Sequence, residues 1–144
     1  MTKTNALSSI NAIFKGCTSL VDAPVIPDSV LDMSEAFLGD SNIYTASAFP
    51  ESVEDISSAY ADCISLEKAA SIPASVINCD SCYSGCSNLY GELSINTNTE
   101  DCANLLSNAV TSGKTLKLKG KSGRLFEIQQ DSGSRYVTIK DTEK

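Results

Sequence analysis

The chain has 144 residues, 42% of them hydrophobic and none of them Trp or His, so it is long enough for one domain with a real core, and general acid or base work would fall to carboxylates, Lys or Tyr. The net charge of −7 hides an asymmetry: residues 1 to 110 hold three Lys and fourteen acids, net −11, whereas residues 111 to 144 hold eight Lys or Arg and four acids, net +4. An acidic body of this kind excludes nucleic acid as its partner, because phosphates demand cationic side chains.

The N-terminus, Met1-Thr2-Lys3-Thr4-Asn5, passes into the first apolar positions without the apolar run of a secretory signal. No stretch approaches the roughly 20 apolar residues that span a membrane, so membrane insertion is not expected. From there the chain repeats every 23 residues. An aromatic column, Phe14, Phe37, Tyr60 and Tyr83, is followed three residues later by Cys17, Asp40, Cys63 and Cys86, and six residues later by Leu20, Ile43, Leu66 and Leu89. The same step carries Ile26, Phe49, Ile72 and Ile95, with Pro27, Pro50 and Pro73 directly after the first three. Val30, Val53 and Val76 come next, then Met33, Ile56 and Cys79, then Ala36, Ala59 and Cys82; Leu7, Ile10 and Ile13 join at one end, Cys102 and Leu106 at the other. A period of this length marks stacked units that bury their apolar faces only against one another.

Within each unit, Val21 to Ile26, Tyr44 to Phe49, Glu67 to Ile72 and Tyr90 to Ile95 are expected to be short strands lying side by side as a parallel sheet, the first three stopped by proline, with Asn96 where a fourth proline would stand. The return path has apolar spacings of three and four, as in Val53, Ile56, Ala59 and Tyr60, which predicts a helical or 3₁₀ turn with Asp28, Ser52 or Ser75 near its start. After Ser107 the repeat dissolves. Thr115 to Lys119 alternates, and Leu125 to Gln130 with Arg135 to Lys140 flank Asp131-Ser132-Gly133-Ser134, which reads as a hairpin. The expected organisation is therefore residues 1–107 as the repeat region and 108–144 as a β-rich cap over its last unit, with a separate docking arm as the alternative.

Phe14-Lys15-Gly16-Cys17-Thr18-Ser19-Leu20 and Tyr83-Ser84-Gly85-Cys86-Ser87-Asn88-Leu89 resemble the units of BspA-like, treponemal-type leucine-rich repeats, and the resemblance covers residues 7 to 106. It implies a fold of the α/β solenoid class, a short leucine-rich-repeat stack with a parallel sheet, followed here by the C-terminal β-hairpin cap. It also implies attachment and no enzymatic activity, since family members are bacterial surface adhesins and similar repeats occur in proteins encoded by phages. A non-enzymatic interaction or attachment module, assembled into a larger particle or surface, is the expected function; the alternative is a bacteriophage virion structural protein (decoration, fibre or tail component) without a separate ligand. The matching location is a virion or an extracellular surface, with the cytoplasm as the alternative.

Motifs that carry chemistry are few. Cys79, Cys82 and Cys86 have C-x2-C-x3-C spacing, but each stands in a column that elsewhere takes a small or apolar residue, so buried structural thiols are expected rather than a zinc site, with Cys63–Cys86 or Cys79–Cys102 bridges as the alternative. Ser112-Gly113-Lys114-Thr115 is similar to the end of a phosphate-binding loop, yet residue 108 is Asn where that loop needs Gly. Acidic pairs such as Asp28 with Asp32 and Glu51 with Asp55 read as a solvated face before they read as calcium ligands. No cofactor and no metal is expected. Binding is sought on the strands, where Val21, Tyr44, Glu67 and Tyr90 form one outward row with Asp22, Thr45 and Lys68 beside it. Such a surface suits a protein partner, including a host-surface protein or glycan. The first unit, with Leu7 and Ile10, is expected to be covered by a second copy or another polypeptide.

Overall fold

The computed structural model describes residues 7–120 and 123–140. Along the repeat region the chain advances by tight turns. Ile13 N–H donates to Ile10 C=O at 3.1 Å, Lys15 to Ala12 at 3.2 Å and Cys17 to Phe14 at 3.0 Å. Ala12, Glu35, Ser58 and Ser81, 23 residues apart, all hold left-handed backbone, with φ of 54°, 57°, 55° and 59°. A right-handed helix cannot pass through such a residue, so the expected helical or 3₁₀ return path is a series of β-turns. Polar side chains fix the entry to it. Asp32 Oδ1 accepts the Ser34 N–H at 2.9 Å, Asp55 Oδ1 that of Ser57 at 2.9 Å, and Asn78 Oδ1 that of Asp80 at 3.0 Å.

The N–H groups left over by these turns bind the next circuit of the chain. Phe14 N–H donates to Ala36 C=O at 2.9 Å, Phe37 to Ala59 at 2.8 Å, Tyr60 to Cys82 at 2.9 Å and Tyr83 to Leu105 at 3.0 Å. The aromatic rings stack in register: Phe14–Phe37, Phe37–Tyr60 and Tyr60–Tyr83 centroids are 5.4, 4.9 and 5.8 Å apart, with planes within 10° of parallel. One hydrophobic cluster runs from Ile10 through these columns to Leu116, Leu118, Leu125, Ile128 and Val137, so the part expected to begin at residue 108 shares its core with what precedes it.

Regular secondary structure is confined to the C-terminal part of the described residues: β1 (Gly91–Ser94), β2 (Leu116–Lys119), α1 (Leu125–Ser132) and β3 (Val137–Ile139). They form a three-stranded parallel sheet in the order β1-β2-β3 with one short helix. This corrects the expected α/β leucine-rich-repeat solenoid with a hairpin cap; the elements are those of a small mixed α/β domain. Of the four expected repeat strands only the last is one. The stretches from Val21, Tyr44 and Glu67 contribute isolated bridges, Asp22 with Thr45, Thr45 with Lys68 and Ile72 with Ile95.

The physical cause lies in two hydroxyls. Tyr60 Oη accepts the Ser47 N–H at 2.9 Å, and Tyr83 Oη both accepts the Ala70 N–H and donates to the Ala70 C=O, each at 2.8 Å. Those backbone groups are the ones a continuous ladder would use. In the next circuit the corresponding positions are Leu93 and Leu106, and leucine has no hydroxyl. There the ladder forms, with Leu93 opposite Leu118.

The expected hairpin is also corrected. Leu125, Ile128 and Ser132 are the buried positions of α1, at spacings of three and four. Gly133, with φ of 70°, caps the helix by donating its N–H to Gln130 C=O rather than turning a hairpin. Because a helix joins β2 to β3, the two strands run parallel, with Leu116 opposite Val137 and Leu118 opposite Ile139.

Candidate interaction surface

The strand-side residues singled out from the sequence come together. The parallel bridges place Asp22, Thr45 and Lys68 in one row. Glu67 N–H donates to Tyr44 C=O at 2.8 Å and Tyr90 N–H to Glu67 C=O at 3.1 Å, which aligns Tyr44, Glu67 and Tyr90 next to it. Val21 and Tyr44 are exposed, at 44% and 55%, whereas Glu67 and Tyr90 are half-buried. Tyr90 is tied down on three sides: its hydroxyl reaches Glu67 Oε1 at 3.4 Å, and the ammonium groups of Lys68 and Lys114 lie 5.4 and 4.6 Å from its ring centre. Lys114 belongs to the segment similar to a phosphate-binding loop, but that segment leads into the strand β2 and not into a helix.

Sequence reasoning misses the cationic character of the neighbouring sheet face. Glu92, Lys117 and Thr138 stand opposite one another across the three strands, and Lys119 and Lys140 both reach the Glu92 carboxylate, at 3.0 and 3.1 Å. Hydrogen bonds from those two ammonium groups, then their charge, lower the Glu92 pKa. The alternation of Leu116, Lys117, Leu118 and Lys119 is the available signal; it marks a strand, and it also marks one face of that strand as basic.

At the N-terminal turn, Leu7 is exposed but Ile10 is 5% exposed and already part of the chain's own core, which removes Ile10 from the surface offered to a partner. Its N–H donates to Asp32 C=O at 2.9 Å, drawing the first turn onto the second. The apolar groups left outside there are Leu7, Ile13, Val21 and Val25.

All six cysteines are unbridged, and all but Cys17 are buried. Cys63 Sγ donates to Phe37 C=O at 3.1 Å and Cys86 Sγ to Tyr60 C=O at 3.0 Å. Burial pushes the Cys63 and Cys79 thiols up to about 12 and the Cys82 and Cys86 thiols well above their ordinary value, so these groups stay protonated donors. Among the described residues no group of three or more Cys, Asp or Glu is placed to hold a metal ion. Asp40 occupies the same column as Cys17, Cys63 and Cys86. It is fully buried, its Oδ1 accepts the Cys17 N–H at 2.6 Å, and its Oδ2 has no partner. Burial raises its pKa to about 6, against the lowering effect of the Cys17 N–H.

Comparison of the chain with protein-family models, with curated proteins and with solved structures finds no match.

Proposed function

We propose that this protein is a non-enzymatic interaction module that holds a protein partner on the strand side, with Tyr44 and Tyr90 as anchors. The observation that carries this reading is the row itself. The backbone register lines up an exposed aromatic, an exposed valine and a tyrosine braced between two lysines on one surface. Rigid, partly apolar rings with polar tips are efficient contact groups, because few rotamers are lost on binding. The perturbed thiols and tyrosines serve packing: each raised pKa is caused first by burial, which suits hydrogen-bond donors inside a core and not nucleophiles.

The test is capture on immobilised protein and on a glycan array, comparing wild type with Tyr44→Ala and Tyr90→Ala after circular dichroism has shown the variants folded. A protein retained by wild type and lost by both variants supports the reading. A partner bound equally well by all three chains moves the interaction elsewhere, and a sugar bound in its place refutes the protein-partner assignment.

A further inference from the structure

The sheet face beside Tyr90 is strongly cationic. Lys68, Lys114, Lys117, Lys119 and Lys140 surround it, and Glu67 and Glu92 are the acids among them. Glu92 is shared by two lysines, so the cluster keeps excess positive charge. Among the described residues neither Lys114 nor Lys117 is in an ion pair.

A surface of opposite character lies on the turns, beyond the buried Ile26 and Val30 columns. Leu31, Glu54 and Ile77 stack there, since Glu54 N–H donates to Leu31 C=O and Ile77 N–H to Glu54 C=O, both at 2.8 Å. Leu31 and Ile77 are 40% and 60% exposed, and Glu54 is exposed between them. The neighbouring column holds Asp32 and Asp55, and Asp28 and Asp101 extend the acidic ridge. Among the described residues its cation is Arg124 at one end, paired with Glu100 beside Asp101 at 3.1 Å. Exposed apolar side chains beside Glu54 and the half-buried Asp32 and Asp55, whose carboxylates are held by Ser34 and Ser57 and carry no ion pair among the described residues, form a surface that gains from a partner with cationic stems and an aromatic ring.

We propose that the cationic sheet face of one copy docks on the acidic, leucine- and isoleucine-bearing ridge of a second copy. The two surfaces belong to different parts of the molecule, so the contact is heterologous and head-to-tail, and it continues into a ring or an open chain. Charge complementarity selects the occupant: the body of this chain carries net −11 and its C-terminal part net +4, which makes another copy of itself an acidic partner for the lysines. The inference rests on reading the chain as an interaction module and names its partner.

Sedimentation velocity of the full chain tests it, under reducing conditions at about 20 mM and about 500 mM salt, between which the screening length falls from tens of ångströms to a few. Wild type should exceed its 15.2 kDa monomer mass at low salt in a concentration-dependent way and return to monomer at high salt. Lys117→Glu and Glu54→Lys should each weaken association at least about tenfold. An equimolar mixture of the two variants should recover association beyond a heterodimer, with the variants alternating, since the altered face of one matches the altered ridge of the other and the unaltered face and ridge still match as in wild type. A wild type that is monomeric at low salt overturns the proposal, as does association that survives both substitutions or a mixture that fails to recover. A monomeric wild type that still captures an outside protein through Tyr44 sinks the self-docking and leaves the module reading standing.

Discussion

Asp40 is a buried carboxylate in a column built for thiols, and its replacement has a calculable effect. Cys63 and Cys86 each donate an S–H to the aromatic carbonyl of the preceding circuit, Phe37 C=O and Tyr60 C=O respectively. Asp40 accepts from Cys17 but, once ionised, has nothing to donate, and Oδ2 is left without a partner. The titratable groups that face it are Cys17 on one side and Cys63 on the other, and among the described residues no cation pairs with it.

With its pKa raised from 3.8 to about 6, Asp40 favours the folded state most when protonated. Below pH 3.8 both folded and unfolded chains hold the proton and the site is neutral in effect. As pH rises toward 6 the unfolded chain ionises first, and stability falls; above 6 the loss is complete, roughly 3 kcal/mol for a carboxyl displaced this far. Asp40→Asn keeps the acceptor for Cys17 and removes the charge, and Asp40→Cys restores the residue of the column. Urea unfolding at about pH 4.5 and about pH 7, with reductant present, should show wild type losing about 2 kcal/mol relative to either variant between the two pH values, the first part of the loss having already occurred below about pH 4.5. A wild-type-minus-variant difference that stays constant over this range would refute the reasoning.

The tyrosine hydroxyls give a second measurement: Tyr83→Phe orphans the half-buried Ala70 N–H and C=O and should cost about 1 to 3 kcal/mol in chemical denaturation, whereas Phe37→Tyr should bring no gain, because the residue at the corresponding position is Pro24, which has no N–H. Tyr60→Ala removes a fully buried ring stacked on Phe37 and Tyr83 and should cost about 3 to 5 kcal/mol, while exposed Tyr44→Ala should stay within about 0.5 kcal/mol and act on binding. Equal losses at the two positions would invert the assignment of buried and outward columns. Asp62 has φ of 60° in a column where Gly16, Gly39 and Gly85 stand, so Asp62→Gly should not destabilise and should raise the denaturation midpoint slightly; a clear loss would show that the Asp62 side chain contributes a contact the turn needs.

The period, the identity of the buried columns and the alignment of the candidate surface are legible in the amino-acid sequence without any coordinates. They come from spacing alone: residues 23 apart meet, as the Phe14, Phe37, Tyr60 and Tyr83 rings and the Asp22, Thr45 and Lys68 row do. What the same residues do with their backbone is set by tertiary contacts. Ser47 and Ala70 have strand-like neighbours, but a tyrosine hydroxyl 13 residues later takes their backbone groups, and no local pattern announces that competition. Leu125 to Gln130 is apolar at positions compatible with either a strand or one helical face; the depth at which Leu125 and Ile128 sit against the sheet selects the helix, and with it the parallel direction of β3. Asp40 is an ordinary acid in the sequence and becomes a destabilising one only because the stacked turns on either side exclude water from it, and desolvation is a property of the assembled core rather than of any residue within it.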